Sequence, residues 1–421
     1  VRPLSLQATS SASADGAGVS GTATPAVKAG ASFSLTATAL AGYDGTPKVD
    51  SSKLAAHGGA IQVGSLGGSF GAGNPGTGVA TGNFAYSEVG YFNFAANGIY
   101  DDTYTTVDSA GDCTNDFSNS PVGGKYGCLF GNSSTTNYFG RFIPDHFTVV
   151  TPVPFAAGCL AGGFSYMDQP FSTPLSASIE ARNTVNAKTR NYNGATFGKA
   201  VVSVQMENNN SGTPIPGARL GGAGVPSWTS GAYAFAATRF SRPAAGVVDG
   251  AYDALDIGVV VTDSDNVYLV SRNMDASNTS CTADTAGTSD GTCTAVTLVA
   301  ATRVRFGTLK LDNAYGSELL PLRVPLRAMY WNGTAWVTNT VDSCTTIPNQ
   351  RNNVAIGNQQ GTLTAGNYGA TKIPAAALPL INGLGTLILA APNAGTSGGL
   401  DIALNLGATA GDASCIGGGF P

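Results

Sequence analysis

Apolar and polar residues alternate along much of the chain, a pattern typical of half-buried β-strands. In the segment 31–39, Phe33, Leu35 and Ala37 fall on one face, and serine and threonine fall on the other. The segment 82–96 repeats the pattern with aromatic residues and breaks near Gly90, so it predicts two strands. Further segments of strand-type composition are 147–153, 200–206, 254–261, 267–271, 295–304, 307–311, 322–331, 387–391 and 400–406. Because no segment has a convincing helical period, the sequence predicts an all-β fold.

Turn-forming segments separate these short strands, which indicates immunoglobulin-like β-sandwiches in series. One boundary falls at Pro144, where a strand ends and another begins at Phe147. A second falls after Leu311. The predicted β-sandwich domains are therefore 1–143, 144–311 and 312–421. Because both connections are short, we expect a semi-rigid series.

The composition is poor in charge, and this excludes several classes of protein. Charged residues make up 11% of the 421 positions, against about 25% in an average globular protein. The net charge is −5, and no basic stripe interleaves with aromatic residues, which argues against nucleic acid as a partner. The longest apolar runs are too short to span a membrane. Serine, threonine, asparagine and glycine must cover the surface, as is common among secreted β-proteins.

Seven cysteines indicate an oxidising compartment. None forms a C-x-x-C pair, and His57 and His146 are the only histidines, so the usual zinc spacing is absent. Two pairs bracket short polar loops of the kind that disulfides close, and the last two cysteines form a third candidate pair. The predicted disulfides are Cys113–Cys128, Cys281–Cys293 and Cys344–Cys415. Cys159 then pairs with a segment outside this chain or is a buried free thiol, and seven reduced core cysteines are the alternative.

Aspartates crowd two loops and make calcium the one cofactor to consider, because oxygen ligands suit Ca²⁺. Asp101, Asp102 and Asp108 lie in one loop, and Asp263 and Asp265 lie in the other. Neither loop follows the twelve-residue EF-hand order. The alternative is that these residues form turns and that the chain has no cofactor.

Catalysis has few candidate residues. Glu88 and Glu318 are the most conspicuous glutamates for a pair of opposed carboxylates, and they are equally suited to ion pairs or turns. His57 lies in a glycine-rich turn, and His146 follows Asp145, where a hydrogen bond to its neighbour is the ordinary role. We therefore expect a protein that is not an enzyme.

The tryptophans Trp331 and Trp336 flank the tetrapeptide Asn-Gly-Thr-Ala. Asn332-Gly333 predicts a β-hairpin with a type I′ turn, in which the flanking aromatic residues pair across the strands. A sugar-stacking platform is the alternative for these side chains. The hairpin is the interpretation that the spacing favours.

Several segments resemble the MshQ family, whose members are encoded with the genes of the mannose-sensitive haemagglutinin pilus. The resemblance rests on VRPLSLQ at 1–7, FAYSEVGYFNFAA at 84–96, GRFIPDHF at 140–147, FSYMDQPF at 164–171, YDALDIGVVVTDSD at 252–265 and above all the long stretch 305–345. The resemblance implies an exported, pilus-associated surface protein with immunoglobulin-like domains and no known catalytic residues.

The sequence therefore predicts a non-enzymatic, extracellular structural component of a pilus or surface filament that contributes to attachment at the bacterial cell surface. Its expected partners are copies of itself or other pilus subunits, and a host or surface glycan is a further possibility. The alternative function is a carbohydrate- or calcium-dependent adhesin module.

Overall fold

The computed structural model describes residues 7–10, 19–24, 26–107, 111–221, 227–404 and 406. Helices in these ranges are single turns that connect strands. The α-helices are α1 Tyr104–Val107, α2 Gly194–Phe197 and α3 Gln350–Asn353, and the 3₁₀ helices are Ser51–Lys53, Gly217–Arg219 and Ala370–Lys372. The all-β prediction is confirmed.

The first β-sandwich comprises the strands up to residue 143. They are β1 Gln7–Ser10, β2 Val27–Lys28, β3 Ser32–Thr38, β4 Lys48–Val49, β5 Leu54–Ala56, β6 Leu66–Phe70, β7 Val79–Tyr86, β8 Gly90–Phe94, β9 Ile99–Asp101, β10 Phe130–Gly131 and β11 Phe139–Ile143. One four-stranded sheet has the order β1-β3-β7-β6, and the other has the order β2-β11-β8-β5. A small sheet, β10-β9-β4, closes one end.

Aromatic side chains from both sheets fill the first core. In β3, Phe33, Leu35 and Ala37 are buried, as their alternation predicts. The Phe33 ring meets that of Phe142 from the opposite sheet at 5.1 Å between centroids. Each fully buried phenylalanine stabilises the fold by roughly 2–3 kcal/mol, so this cluster is the main reason that the two sheets pack together.

The second β-sandwich again consists of two sheets. Its strands are β12 His146–Val149, β13 Phe164–Tyr166, β14 Pro170–Arg182, β15 Val201–Asn208, β16 Leu220–Gly221, β17 Trp228–Thr229, β18 Ala232–Phe240, β19 Tyr252–Thr262 and β20 Val296–Arg305. One sheet has the order β12-β14-β18-β16, with β17 also paired to β18, and the other has the order β13-β20-β19-β15. Most strand pairs of this sandwich are antiparallel, with register shifts between β14 and β18 and between β19 and β20, and β13 pairs in parallel with β20.

The third β-sandwich has shorter sheets. Its strands are β21 Gly307–Leu311, β22 Leu322–Trp331, β23 Trp336–Thr338, β24 Thr346–Ile347, β25 Val354–Gly357, β26 Leu378–Pro379, β27 Leu384–Leu389 and β28 Asp401–Leu404. β22 is central and pairs with β21 on one side and with β23 and β27 on the other. Two-stranded sheets, β24-β26 and β25-β28, complete the layer opposite.

Two details of the sequence interpretation are wrong. The strand at 307–311 was expected to end the second domain, but β21 pairs along its whole length with β22 and so belongs to the third sandwich. The second boundary therefore falls before β21, at Phe306. The segment 267–271 was expected to be a strand, but its backbone forms only a single bridge, from Leu269 to Phe147.

Candidate functional site

The first junction between sandwiches is built around Asp265, which lies in the loop after β19. Its carboxylate accepts two hydrogen bonds from the Arg141 guanidinium at 2.6 and 2.9 Å, and the Lys199 ammonium lies 2.9 Å away. The same two cations also donate to backbone oxygens, Arg141 to Ala23 and Lys199 to Gly21. One carboxylate of the second sandwich therefore anchors β11 and the segment before β2 of the first.

These groups are largely withdrawn from solvent. The Arg141 side chain is 4% exposed, and that of Asp265 is 12% exposed. Burial alone raises the pKa of Asp265, but the hydrogen bonds from Arg141 and Lys199 outweigh it and hold this pKa below its usual value. The ion pair is therefore charged at neutral pH, and its geometry is the two-pronged arrangement in which arginine and carboxylate bind most strongly.

Glu88 forms a second polar link across the same junction. Its buried carboxylate accepts hydrogen bonds from the backbone N–H groups of Arg190 and Asn191, both at 3.0 Å, and from the Gln62 amide. The Asn191 side chain in turn accepts from the backbone N–H of Ile61 and donates to the oxygen of Gln62. Glu88, Ile61 and Gln62 belong to the first sandwich and Arg190 and Asn191 to the second, so the bonds between these two groups fix the two sandwiches in one orientation.

An apolar contact lies beside this polar network. The His57 ring packs on Phe197 at 4.7 Å between centroids, and Tyr91 packs on the same ring at 6.2 Å. Burial lowers the pKa of His57, so the imidazole is neutral at pH 7. His57 therefore serves as a packing residue whose ring nitrogen Nδ1 lies 3.2 Å from both the nitrogen and the oxygen of the Tyr91 backbone.

The second junction contains a disulfide that the sequence interpretation assigned wrongly. Cys344 bonds to Cys159, with the two Cα atoms 5.6 Å apart, whereas Cys415 was the expected partner and lies outside the described residues. Cys159 lies just before β13 in the second sandwich, and Cys344 lies between β23 and β24 in the third. This covalent bond therefore crosses from one sandwich to the next.

Buried polar groups surround that disulfide. The Tyr166 hydroxyl donates to the Asp342 carboxylate at 2.9 Å and accepts from the Asn339 amide at 2.7 Å. Burial and the nearby Asp342 carboxylate raise the pKa of Tyr166, so its hydroxyl is protonated at neutral pH. Asp342 also accepts from the backbone N–H of Cys344, and the Arg305 guanidinium hydrogen-bonds Asn339. The network positions the cysteine beside its partner.

The structure also contains the two disulfides expected from the polar loops, Cys113–Cys128 and Cys281–Cys293. In the second of these loops, Asp284 accepts from the Arg272 guanidinium at 2.8 and 2.9 Å. Burial by itself would raise the pKa of Asp284, but the hydrogen bonds from Arg272 outweigh burial and hold this pKa below its usual value. A covalent and an ionic link together fix a long loop of the second sandwich.

The aspartates that were considered for calcium are engaged by protein groups. Asp101 accepts from the Tyr43 hydroxyl, and Asp102 pairs with Lys48 at 2.8 Å. Asp263 accepts from the Tyr192 hydroxyl and from the backbone N–H of Asp265. Asp265 itself binds Arg141 and Lys199, as described above, and Asp108 lies outside the described residues. Across the residues that the structure describes, no group of three or more His, Cys, Asp or Glu side chains is arranged to hold a metal ion.

The remaining candidates have structural surroundings. Trp331 and Trp336 pair across the hairpin as predicted, but φ is positive at Gly333 and not at Asn332, so the expected type I′ turn at Asn332-Gly333 is wrong. Asn332 closes the longer loop by accepting from the N–H groups of Thr334 and Ala335. The His146 ring lies 2.9 Å from the Asp145 carboxylate. Glu318 is in the loop between β21 and β22, whereas Glu88 is at the first junction, so the structure does not bring the two glutamates to one site.

The sequence did not show which residues meet at the junctions. Arg141 and Asp265 are 124 positions apart, and Cys159 and Cys344 are 185 positions apart. One clue was present: Arg141 lies in an otherwise apolar strand, β11, and all five residues of that strand are buried. A buried arginine requires a partner, because an unpaired buried charge is very costly.

The fold and its junctions define a class: an all-β protein of β-sandwiches in fixed series. Comparison with family models gives a more specific result, because residues 88–290 match the third domain of DUF6701 and residues 305–412 match its fourth domain. Together the matches cover about three quarters of the chain, which belongs to the DUF6701 family. The first match begins at Glu88 and ends at residue 290, so it includes Glu88, Arg141 and Asp265 of the first junction and most of the second sandwich.

No curated protein matches the chain. Among solved structures, the adhesin InvE of Yersinia pseudotuberculosis is similar with 14% identity and a TM-score of 0.18, over 62% of this chain and 55% of the adhesin. A marsupial T cell receptor is similar with 8% identity and a TM-score of 0.16, over 96% of both chains. Scores this low carry no argument about function. None of the helices in the described ranges is long and apolar enough to cross a membrane.

Proposed function

We propose that this protein is a non-enzymatic structural component of a pilus or other filament on the bacterial cell surface, where it contributes to attachment. The observation that carries the proposal is that both junctions are fixed. A buried ion pair and the Glu88 network join the first two sandwiches, and a disulfide joins the second to the third. A spacer that holds a defined length and direction needs such junctions, whereas a flexible linker would serve only as a tether.

Three disulfides support an extracellular location for this proposal. Disulfides persist in oxidising compartments and are rare in the cytosol. The low content of charged residues supports it as well, because surfaces of serine, threonine and asparagine pack against other copies without the desolvation cost that charges impose. The resemblance of residues 305–345 to the MshQ family supports a pilus in particular.

The absence of catalysis belongs to the same proposal. The Glu88 carboxylate is occupied by four hydrogen-bond donors, and His57 is held between the Tyr91 backbone and the Phe197 ring. Neither side chain is available to transfer a proton to a substrate. We therefore propose that these residues hold the sandwiches together and have no catalytic role.

Immunogold labelling of intact cells tests the location and the assembly. An antibody against this chain is expected to label filaments on cells that produce it, and a strain lacking the gene gives the background. Loss of the gene is expected to lower attachment to surfaces. Labelling confined to the cytoplasm, or filaments without label, would overturn the proposal.

A glycan array with the purified chain separates this function from the adhesin alternative. A structural component is expected to give no signal above that of an unrelated immunoglobulin-like domain. Saturable binding to one class of glycan, or binding that requires added Ca²⁺, would favour the adhesin module.

A further inference from the structure

The long loop between β19 and β20 of the second sandwich covers a polar pocket of about 290 Å³. The floor of the pocket is the outer face of the sheet and includes Glu207 on β15, Asp256 on β19 and Thr297 on β20. The rim comes mainly from residues 273–281 of the loop. All of the lining residues lie in the described ranges, so the pocket is bounded by known structure.

The loop that forms the rim is fixed over the sheet. The backbone N–H of Thr297 donates to the side-chain oxygen of Asn273 at 2.8 Å, which ties the loop to β20. The disulfide between Cys281 and Cys293 closes the loop further along. The pocket is therefore a built feature of this sandwich, because both its floor and its rim are held in place.

Glu207 is buried in the floor with little compensation. The residue is 3% exposed, and its Oε2 accepts one hydrogen bond, from the N–H of Gly212 at 3.2 Å. Its Oε1 has no hydrogen-bond partner among the described residues and is not sealed from solvent, so it faces the pocket. A buried carboxylate is costly unless a cation or further donors satisfy it.

A second acidic side chain lies directly beside Glu207. Asp256 is its Cα partner in the antiparallel ladder of β15 and β19, so both side chains are on the same face of the sheet. Like charges directly opposite one another destabilise a pair of strands. Asp256 accepts one hydrogen bond, from the N–H of Ala301 at 2.7 Å. The two acidic groups therefore call for a positive charge that the neighbouring strand positions do not supply.

The loop adds a third acidic side chain, Asp275. Its Oδ1 accepts from the backbone N–H of Ser277 at 2.9 Å. The pocket lining thus contains three acidic side chains, and no lysine or arginine is among the described residues that form it. Because the protein donors to these carboxylates are all backbone N–H groups, the pocket has a net negative charge and favours a cation.

The arrangement favours an extended cation over a single metal ion. In the described ranges, no three His, Cys, Asp or Glu side chains are grouped so that they could hold one ion. The three carboxylates of the pocket therefore do not converge on one point. A chain molecule with positive charge at both ends reaches carboxylates that stand apart. The volume of about 290 Å³ is close to the lower end of ligand pockets, roughly 300–1,000 Å³, and so suits a small linear molecule.

We propose that this pocket binds a linear alkyl diamine or polyamine. One ammonium group pairs with Glu207 and Asp256 at the floor, and the next pairs with Asp275 at the rim. Each alkyl ammonium has three N–H donors and no acceptor, like the side chain of lysine, so it satisfies carboxylate oxygens that the protein leaves without donors. Hydrogen bonds between an ammonium and a carboxylate are about twice as strong as neutral ones. The site does not depend on the proposed filament function.

Isothermal titration calorimetry of the full, oxidised chain with 1,4-diaminobutane tests the proposal. We expect saturable binding of one molecule per chain. Glu207→Gln keeps the shape of the floor and is expected to lower the affinity at least about tenfold, because it removes the charge from one hydrogen-bonded pair. The matched control is Asp253→Asn, which removes a charge from β19 at a position that is 59% exposed and outside the pocket. This control is expected to bind like the natural chain.

A one-ended amine tests the role of Asp275. The probe 1-aminobutane has the same carbon chain with a single ammonium group, and we expect the natural chain to bind it at least about tenfold more weakly than the diamine. Asp275→Asn is expected to abolish this preference, because it weakens the diamine and leaves the monoamine unchanged. A preference that persists in this variant would contradict the assignment of the second ammonium group.

Three other probes separate the proposed ligand from its competitors. Neutral 1,4-butanediol is expected not to bind, and neither is tetramethylammonium, which has a charge but no N–H donor. Nα-acetyl-lysine amide represents the side chain of a partner protein and is expected to bind more weakly than the diamine. Equal affinity for the lysine amide would replace the polyamine by a protein partner. Equal responses to every cation would reduce the effect to screening, and either result would refute the proposal.

The melting temperature gives a readout that does not depend on measuring affinity. Without ligand, Glu207→Gln is expected to be at least as stable as the natural chain, because it removes the repulsion by Asp256. Saturating 1,4-diaminobutane is expected to raise the melting temperature of the natural chain and not that of the variant. A variant that is much less stable without ligand would show that Glu207 serves folding alone. A rise caused by Ca²⁺ and not by the diamine would identify a metal site, and both outcomes would count against the proposal.

Discussion

Asp265 neutralises two cations of the first junction, one from each sandwich. Arg141 comes from β11 in the first sandwich, and Lys199 precedes β15 in the second. Removing the carboxylate would leave both cations facing each other in a largely dry contact. Breaking a buried ion pair by deleting one partner is much more costly than the pair itself is stabilising.

We expect Asp265→Asn to lower the free energy of unfolding by about 2–4 kcal/mol, because Arg141 would be left buried without a counter-charge. Chemical denaturation followed by tryptophan fluorescence measures this value. The matched control is Asp102→Asn, which breaks the exposed pair with Lys48 and should cost less than about 1 kcal/mol. If both variants lower the free energy of unfolding equally, the ion pair at the junction stabilises the fold no more than an exposed pair does.

The same residue predicts a dependence on pH. The pKa of Asp265 in the folded chain lies below its ordinary value of 3.8, so its contribution to stability is complete above that value and is lost as the pH falls through the folded-state pKa. The stability difference between the natural chain and Asp265→Asn should therefore be constant from pH 7 to about pH 5 and should shrink below about pH 4. A difference that grows in acid would contradict this assignment.

Among the elements, β20 and β21 define the second junction most directly. β20 ends at Arg305 and β21 begins at Gly307, so Phe306 alone connects two strands that belong to different sandwiches. The backbone oxygen of Phe306 is bound by the N–H of Trp331, which leaves this connection little freedom. The Cys159–Cys344 disulfide then closes the same junction from another side.

We expect the double variant Cys159→Ala and Cys344→Ala to separate the unfolding of the second and third sandwiches. The bond closes a segment of 185 residues, and loss of a disulfide over such a segment costs roughly 3–5 kcal/mol. Differential scanning calorimetry should show a low-temperature transition that the natural chain lacks. Removing Cys281 and Cys293, which close a loop of 12 residues within one sandwich, is the control and should not create that transition.

Local patterns predicted elements better than they predicted junctions. β3 and the break between β7 and β8 follow from alternation and from Gly90. β18 was not predicted, and its residues do not alternate regularly between buried and exposed positions. The partner of Cys344 could not be derived, because strand-type patterns say nothing about which loops meet across two sandwiches.

At the scale of the whole molecule, the three sandwiches form one connected series. The aspartates that were considered for calcium hydrogen-bond or pair with Tyr43, Lys48, Tyr192 and Arg141 in loops and at the first junction. Their role could not be read from the sequence, because a turn aspartate and a calcium ligand share the same local pattern.

We expect chelation to leave the stability of the whole chain unchanged. The melting temperature measured with EDTA should equal that measured with added Ca²⁺, because the carboxylate oxygens are already occupied by protein donors. A calcium-binding EF-hand protein in the same buffers serves as the positive control. A melting temperature raised by Ca²⁺ would restore the calcium-dependent adhesin alternative.

The bond between Cys159 and Cys344 also decides which part of the chain carries tension. When the two ends are pulled apart, force passes through the sulfur atoms, so the 185-residue segment between them bears none of it while the bond is oxidised. At about 3.4 Å for each extended residue, unfolding of this segment under load after reduction of the bond would release roughly 600 Å of length. A filament built from this protein would therefore resist stretching under oxidising conditions and become far more extensible under reducing conditions.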